Sequence, residues 1–254
     1  MREIVVVLVV VVAGFLSSWT GVAAQPAPLR VAASNGVKAA LEALLGESEQ
    51  RVGRPVETTF RTSATTRTRI VEGEAFDVAI LTADVIDELT RTGKIASGSG
   101  VVLGRSGIGI GVRAGAPKPD IATAAALRRA LVGARSLTYA DDGASRVHIT
   151  KMLDAFGIAD AVKSKTALEQ GSVRATARVA RGETELVITL ISEILPVPGI
   201  ELVGPLPAEF QSYVSFAAGL GSRAQDPEAA RALITFLSGP GARRAFAVTG
   251  IERP

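Results

Sequence analysis

Four serines precede predicted helices whose first turns contain no acidic residue. The serines are Ser34, Ser63, Ser145 and Ser172, and the cations near the same helix starts are Lys38, Arg67, Arg146 and Arg174. A cation at a helix N-terminus costs a few tenths to about 1 kcal/mol, because the free N–H groups of the first turn carry partial positive charge. A bound anion would offset this cost and accept hydrogen bonds from the serines and the backbone amides. The repeated pattern therefore favours a site for a small anion.

Each of these residues also has a simpler interpretation. Serine is a preferred N-cap residue, so any one of the four could serve only to begin its helix. The arginines could pair with nearby acids: Arg146 with Asp141 or Asp142, and Arg67 and Arg69 with Glu72 and Glu74. Other predicted helices start in the ordinary way with acids, at Asp84, Asp120 and Glu228. The recurrence of the pattern, and not any single residue, favours the anion site.

Strands and helices alternate along the chain that must position these residues. Apolar runs at 29–33, 56–60 and 76–81 predict strands, and helical patterns follow at 37–45, 67–72 and 84–92. A second set comprises helices at 122–132, 145–156 and 172–181 and strands at 136–140, 185–191 and 200–203, before helices at 227–237 and 241–248. Such alternation predicts an α/β fold with mainly parallel sheets and helices on both faces.

Two long extended runs, near 107–113 and 212–220, divide the chain into an outer pair of segments and an inserted middle. The first run is rich in glycine, but a turn at 114–117 follows where a dinucleotide-binding helix would begin, so a strand crossing between lobes is the better interpretation. We predict a first lobe from 25–107 and 214–254 and an inserted second lobe at 108–213. Ligands of such sheets bind outside the carboxyl ends of the strands, which places the expected site in a cleft between the lobes.

Composition and the N-terminus restrict the function further. A net charge of +3 and an aromatic content of 4% argue against a nucleic-acid partner. The absence of cysteine excludes disulfides, thiol catalysis and cysteine metal sites, and we assign no metal and no cofactor. Arg2, the apolar run at 4–16 and small residues up to Ala24 predict a signal peptide over residues 1–24, cleaved after Ala24. A retained membrane anchor is the alternative; with cleavage, the mature chain is periplasmic and has no stable membrane insertion.

Several motifs together resemble one family. They are Val31-Ala-Ala-Ser34, Thr62-Ser-Ala-Thr65, the run at 69–80, Ser172-Val-Arg174, the run at 180–183 and the tail at 227–237. These resemble the molybdate-type periplasmic solute-binding proteins of ABC importers, within the type II periplasmic-binding-protein superfamily. The resemblance implies a two-lobed, monomeric protein that gives a small anion to an ABC permease and ATPase complex. It also implies that Ser34 and Ser63 of the first lobe and Ser145 and Val173 of the second hold the anion.

The chain departs from the family pattern at three places. Leu190 stands where the family has a tyrosine, and Gly143-Ala-Ser-Arg146 replaces a Pro-Ala-Gly turn. Arg61 and Arg146 are additional cations beside the expected ligand residues, and Asn35 lies in the first turn. Because guanidinium groups pair well with planar carboxylates, we expect an organic carboxylate at least as readily as molybdate, tungstate or sulfate.

An enzyme is the alternative to a binding protein. Aconitate isomerase is an exported enzyme that resembles this family, and its tricarboxylate substrate would suit the added arginines. Moving a proton between carbons requires a base within reach of the substrate, for which His148, Asp141 and Asp142 are candidates. A Ser-His-Asp triad is not expected from 141–148, because residues on one turn would not adopt the required geometry.

Overall fold

The computed structural model of the protein describes residues 26–253. The predicted signal peptide and its cleavage site lie outside these residues. The strands within this range are β1 (Leu29–Ser34), β2 (Val56–Arg61), β3 (Val78–Thr82), β4 (Val101–Arg113), β5 (Leu137–Ala140), β6 (Thr166–Glu169), β7 (Leu186–Leu190), β8 (Ile200–Pro205) and β9 (Tyr213–Leu220).

The helices of this range lie between the strands, as the alternating pattern predicts. A 3-10 turn at Asn35–Val37 leads into α1 (Lys38–Ala43), and the others are α2 (Leu45–Val52), α3 (Ser63–Val71), α4 (Ala83–Arg91), α5 (Ala124–Gly133), α6 (Arg146–Ala155), α7 (Ala159–Lys163), α8 (Ser172–Ala180), α9 (Ile191–Ile194), α10 (Pro227–Ser238) and α11 (Pro240–Val248). No helix between residues 26 and 253 is long and apolar enough to span a bilayer.

The strands form one sheet in the order β2-β1-β3-β9-β4-β7-β5-β6, with β8 also paired to β4. β1 runs parallel to β2 and β3, and β5 runs parallel to β6 and β7. β9 is antiparallel to both β3 and β4, and β4 is antiparallel to β7 and β8. The sheet is therefore mixed and not mainly parallel as predicted, because two long strands run against their neighbours.

β4 belongs to both lobes. Its first half, up to Gly107, pairs with β9 beside β3, and its second half, from Ile108, pairs with β7. The glycine-rich run is thus the crossing strand that the sequence predicts. Glycine is needed there for packing: a Cβ on Gly109 would lie 2.9 Å from Leu202 Cδ1 and 3.0 Å from the Gly204 carbonyl. The segment limits predicted for the two lobes stay predictions.

Helices cover both faces of each lobe. Along β1 and β3, Val31 and Ile80 belong to one buried cluster, and Ala32 and Leu81 belong to another, because successive side chains of a strand point to opposite faces. In the second lobe Ile188 faces the first cluster and Val187 faces a third one with α8. Near-continuous burial of these strands explains their unbroken apolar sequences.

Several details differ from the sequence-based expectation, and the helices α2, α7 and α9 were not predicted. α3 begins at Ser63 and not near 67, because the Thr62 side chain caps it by accepting from the Thr65 amide at 3.1 Å. α5 begins at Ala124 after the cap Thr123, so Asp120 lies outside the helix. β6 was not predicted, because it is a short edge strand without a continuous apolar pattern.

Candidate functional site

The carboxyl ends of the parallel strands of both lobes face each other across one cleft. In the first lobe β1 ends at Ser34, Thr62 follows β2, and β3 ends at Thr82. In the second lobe Asp141 and Asp142 follow β5, and Gly171 precedes α8 after β6. The helices that follow these strands start at the same edge of the sheet, so their free amides and polar side chains meet there.

One carboxylate joins the two lobes. Asp142 Oδ1 accepts a hydrogen bond from the Gly171 amide at 2.7 Å, and Asp142 Oδ2 accepts one from Thr62 Oγ1 at 3.1 Å. Thr65 Oγ1 lies 3.5 Å from the same oxygen. We call this set of four residues the central contact. It shows that the helix starts of both lobes converge closely enough to hold a single carboxylate.

Gly171 permits the close approach of the lobes at this point. Its φ of +83° is a conformation that residues with a Cβ rarely adopt. A Cβ there would also lie 3.9 Å from Asn35 Nδ2 and 4.0 Å from Thr62 Cγ2, atoms of the opposite lobe. A Cβ at this position would touch the first lobe at ordinary contact distance, but the positive φ means that it would strain the turn that presents the amide to Asp142.

Two pockets lie between the lobes. The first has a volume of about 290 Å³ and is lined by Asn35 and Lys38 of the first lobe and by Ser172, Val173, Ser192 and Glu193 of the second. The second has a volume of about 420 Å³ and is lined by Ser63, Thr82, Asp142, His148, Tyr213 and Ser215 among others. The cleft is thus larger than a tetrahedral inorganic anion requires.

The two serines expected to bind from the first lobe are buried at strand ends. Ser34 is 5% exposed, and its Oγ accepts from the Gly36 amide at 3.3 Å. Ser63 is also 5% exposed, and its Oγ accepts from the Thr82 amide at 3.1 Å. Neither hydroxyl donates a hydrogen bond to another of residues 26–253. Each therefore keeps a hydrogen that a ligand oxygen could accept.

The second-lobe residues have different surroundings. Ser145 precedes α6 and is buried, but its side chain makes no cap hydrogen bond. Val173 is 54% exposed and lines the first pocket. Ser172 donates to Glu193 Oε1 at 2.7 Å. Of the four serines, Ser34 alone caps its helix through its side chain, so the simple capping interpretation does not account for the other three.

Three of the four arginines near these helix starts are already paired, and Arg174 is the exception among the described residues. Arg61 Nη1 lies 2.8 Å from Glu74 Oε1, Arg146 Nε lies 3.0 Å from Asp141 Oδ1, and Arg67 binds Glu88. The simpler interpretation of Arg146 is therefore correct, and Arg67 pairs with an acid that the sequence did not suggest. A ligand role for Arg61 or Arg146 stays a prediction that requires an ion pair to break. The argument for a carboxylate based on free guanidinium groups loses its support.

The acid-free helix starts are confirmed for the 3-10 turn with α1 and for α3, α6 and α8. However, α5 and α11 also have acid-free first turns, and neither lies at the cleft. The pattern therefore includes the cleft helices without being confined to them. The pocket walls carry acids instead, at Glu42, Asp84, Asp142 and Glu193, against one lysine, Lys38.

Two neighbouring polar residues of the first pocket were missed from the sequence. Burial raises the pKa of Glu193 above its ordinary range, although hydrogen bonds from Thr189, Ser172 and the Leu190 amide oppose this rise. Ser192 is 4% exposed, and its Oγ has no hydrogen-bond partner among the described residues. Both follow Leu190, which is buried at the end of β7. Their position after a strand end was the signal that could have identified them.

The candidate bases occupy different places. His148 is partly buried and lines the second pocket with Asp142. Asp141 is exposed and bound to Arg146, which leaves it less available as a base. Asp142 lies at the central contact. The polar side chains that line the two pockets are therefore hydroxyls, carboxyls, one amide, one ammonium group and one imidazole.

Comparisons with known proteins agree with this geometry. A family model described as bacterial extracellular solute-binding protein matches residues 29–252. The chain is 32% identical over 243 residues to an aconitate isomerase from a Pseudomonas species, covering 93% of this chain and 92% of that protein.

Solved structures share the fold. The periplasmic molybdate-binding protein of Azotobacter vinelandii superposes with a TM-score of 0.77 at 18% identity, over 89% of this chain and 99% of that one. The sulfate-binding protein of Mycobacterium tuberculosis gives a TM-score of 0.70 at 18% identity, over 88% and 86% of the two chains. The two-lobed α/β fold is thus confirmed, and the chain belongs to the family of bacterial extracellular solute-binding proteins.

Proposed function

We propose that the protein captures a small organic carboxylate in the cleft between its lobes and delivers it to an ABC permease and ATPase complex. The observation that carries the proposal is the central contact, in which donors of both lobes already hold the carboxylate of Asp142. Hydroxyls and amides that bind this carboxylate can bind the chemically identical group of a ligand. Export to the periplasm after cleavage at Ala24 belongs to the same proposal.

The sizes and linings of the two pockets favour an organic ligand over an inorganic one. A ligand with more than one carboxylate could place one group at the helix starts and extend into a flanking pocket. There the unpaired hydroxyl of Ser192, the Asn35 amide and Lys38 offer further hydrogen-bond donors. The 32% identical relative, named for aconitate, supports the same ligand class.

Binding can be measured by calorimetry and thermal shift with a panel of molybdate, sulfate, citrate, tricarballylate and trans-aconitate. We expect saturable binding of a di- or tricarboxylate, with stabilisation of about 2.7 kcal/mol at a ligand concentration one hundred times Kd. No response to any member of the panel would contradict the proposal.

Alanine variants at the expected ligand hydroxyls provide a second test. Each hydrogen bond to a charged oxygen contributes roughly 1.5–3 kcal/mol, so Ser34→Ala and Ser63→Ala should weaken binding roughly 10- to 150-fold. Ser238→Ala, which removes a hydroxyl of α10 far from the pockets, is the matched control. Equal affinities for all three variants would place the ligand elsewhere.

A second candidate function is isomerisation of a tricarboxylate by a 1,3-proton shift. The identity with aconitate isomerase favours it, and so does the presence of protonatable groups in both pockets. One base would remove a proton from the methylene carbon of the substrate. The double bond would migrate, and the proton would return to the former vinylic carbon. Glu193, whose raised pKa suits proton exchange, joins His148 as a candidate for this base.

Incubation with trans-aconitate and chromatographic detection of the cis isomer tests this activity. In D₂O the product should contain deuterium, because the base exchanges its proton with solvent. His148→Ala or Glu193→Gln should lower kcat more than it changes KM. Glu201→Gln, which alters a surface pair with Lys118 and an acceptor of the Gly115 amide, serves as the control. Recovery of unchanged substrate would reject the activity and leave the binding function intact.

A further inference from the structure

Asp142 occupies the donors that an anionic ligand needs. Its two oxygens use the Gly171 amide at the start of α8 and the Thr62 hydroxyl at the start of α3. These donors come from different lobes, so the carboxylate makes the contacts that a bound anion would make when the lobes close around it. Resting on the proposed function, we infer that Asp142 is an internal competitor that excludes compact inorganic oxyanions from the cleft.

The surroundings of Asp142 are those of an exchangeable group. Its partners are neutral, and no lysine or arginine among residues 26–253 forms an ion pair with it. The threonine contacts, at 3.1 and 3.5 Å, are longer than the roughly 2.5–2.7 Å of a strong hydrogen bond from a hydroxyl to a carboxylate. The contact with the first lobe is therefore the weaker one, and the 2.7 Å bond from Gly171 lies within the second lobe. The side chain is only partly buried and lines the second pocket, so it has space beside it and access to water.

Tethering gives Asp142 an advantage over small ligands. A group on the same chain competes at an effective concentration of about millimolar or higher. A compact oxyanion that replaces it gains these donors but does not extend to the polar groups of the first pocket, and it also meets the negative charge of the displaced carboxylate. Electrostatic repulsion between two such charges within a few ångströms weakens binding further.

An extended polycarboxylate is affected less. Its first carboxylate must also displace Asp142, but its remaining groups reach Lys38, Asn35 and Ser192 in the first pocket. These added contacts offset the competition, which a tetrahedral ion of the size of sulfate cannot do. Asp142 is therefore a specificity-determining residue, and it selects ligands by their extent beyond the helix starts.

Calorimetry with molybdate and with trans-aconitate tests the inference on the full-length protein and three variants. Asp142→Asn keeps the size of the side chain and one acceptor oxygen, replaces the other by an NH2 donor whose hydrogen bond the Thr62 hydroxyl can accept, and removes the charge. Asp142→Ala removes the polar group altogether. Asp154→Asn removes an exposed acid of α6 away from the cleft and is the control. We expect Asp142→Asn and Asp142→Ala to bind molybdate at least about tenfold more tightly than the wild type, and the control to lie within about twofold.

Small-angle scattering without ligand supplies a readout that does not depend on binding. Loss of the contact in Asp142→Ala should increase the radius of gyration, and Asp142→Asn should retain the wild-type value because it can still bridge the lobes. Unchanged molybdate affinity in both variants overturns the inference even if the wild type binds trans-aconitate. Conversely, tighter molybdate binding by the variants supports the inference even if no carboxylate binds. Thermal unfolding confirms that each variant is folded, and Asp142→Asn decides the outcome if Asp142→Ala is not.

Discussion

Two aspartates at opposite ends of the parallel strands illustrate how the molecule divides stability from binding. Asp77 precedes β3 at the amino end and is 1% exposed. It accepts from the Arg30 amide at 2.8 Å, from Arg30 Nε at 3.0 Å and Nη2 at 2.9 Å, and from the Gln225 amide at 2.8 Å. Asp142 follows β5 at the carboxyl end and is bound by neutral donors alone.

The difference lies in what each carboxylate joins. Asp77 connects β1 to the segment before α10, so it fastens the beginning of the first lobe to its returning C-terminal part with a guanidinium as counter-charge. Asp142 connects one lobe to the other through contacts that a ligand can replace. A buried, fully paired carboxylate holds a lobe together, whereas a partly buried, unneutralised one can exchange.

The largest effect is expected from Asp77→Ala. Removing one partner of a buried ion pair leaves Arg30 and the Gln225 amide unpaired, so the free energy of unfolding should fall by about 3–5 kcal/mol. Urea unfolding of the purified protein measures this change. Glu72→Gln, which alters an exposed pair with Arg69, should change stability by less than about 0.5 kcal/mol. Similar losses in the two variants would contradict the structural role of Asp77.

The contribution of Asp77 to stability should depend on pH, and the direction of this dependence follows from its pKa. Burial raises the pKa of Asp77, but hydrogen bonds and charge from Arg30, with the Gln225 amide, outweigh it and lower the net pKa below the ordinary value. The stability that this group contributes is complete above the unfolded pKa of roughly 3.9 and is lost as pH falls through the lower folded value. The difference between wild type and Asp77→Asn should therefore shrink below about pH 4.

Much of the fold could be predicted because its signals are local. Apolar runs separated by helical patterns gave the order of elements, and the glycine-rich run with its following turn identified β4. The start of α3 was wrong by several residues because both Thr62 and the residues after it can cap a helix. β6 was missed because a four-residue edge strand with exposed Leu168 has no distinctive period.

The site could be predicted only in part because it depends on tertiary geometry. Strand ends placed Ser34, Ser63 and Ser172 at one edge, since topology alone determines this. The sequence could not show which acid pairs with which arginine, because the pairs Arg61–Glu74 and Arg67–Glu88 link different elements. Likewise, the adjacent residues Asp141 and Asp142 look equivalent in sequence, but one binds Arg146 and the other bridges the lobes.

A moderate effect is expected from Thr62→Val, which tests the contact of Asp142 with the first lobe. The variant loses the cap of α3 and the donor to Asp142, so we expect a loss of between about 1 and 2 kcal/mol in unfolding free energy. Thr123→Val removes a similar cap from α5 away from the cleft and should cost only about 1 kcal/mol or less. If Thr123→Val costs as much as Thr62→Val, the contact between the lobes contributes nothing measurable to stability.

Glu193 is a third carboxyl group to compare with Asp77 and Asp142, and its pKa is shifted in the direction opposite to that of Asp77. Its pKa is raised chiefly by burial, so the native state favours the protonated form. Such a group contributes stability below the unfolded pKa that is lost as pH rises through the folded pKa. The melting temperature of Glu193→Gln should therefore rise relative to that of the wild type as pH increases above the unfolded glutamate pKa of roughly 4.3. Glu201→Gln should show no such trend, because Lys118 holds the pKa of Glu201 below its ordinary value.

The smallest effect is expected at Arg61, which the sequence placed at the ligand. Its pair with Glu74 is partly exposed, with 31% and 34% of the side chains accessible, so Arg61→Gln should change stability by less than about 1 kcal/mol. If the pair persists with ligand bound, the affinity of Arg61→Gln for a tricarboxylate such as citrate should stay within about threefold of the wild type. Such a change is smaller than the contribution of one charged hydrogen bond.

Glu74→Gln is the complementary variant, because it frees Arg61 from its ion pair. A more than tenfold loss in Arg61→Gln together with a gain in Glu74→Gln would mean that the guanidinium leaves Glu74 for the ligand. The cleft would then supply a cation after all, and the contrast between the neutral site at Asp142 and the charged one at Asp77 would hold only without ligand.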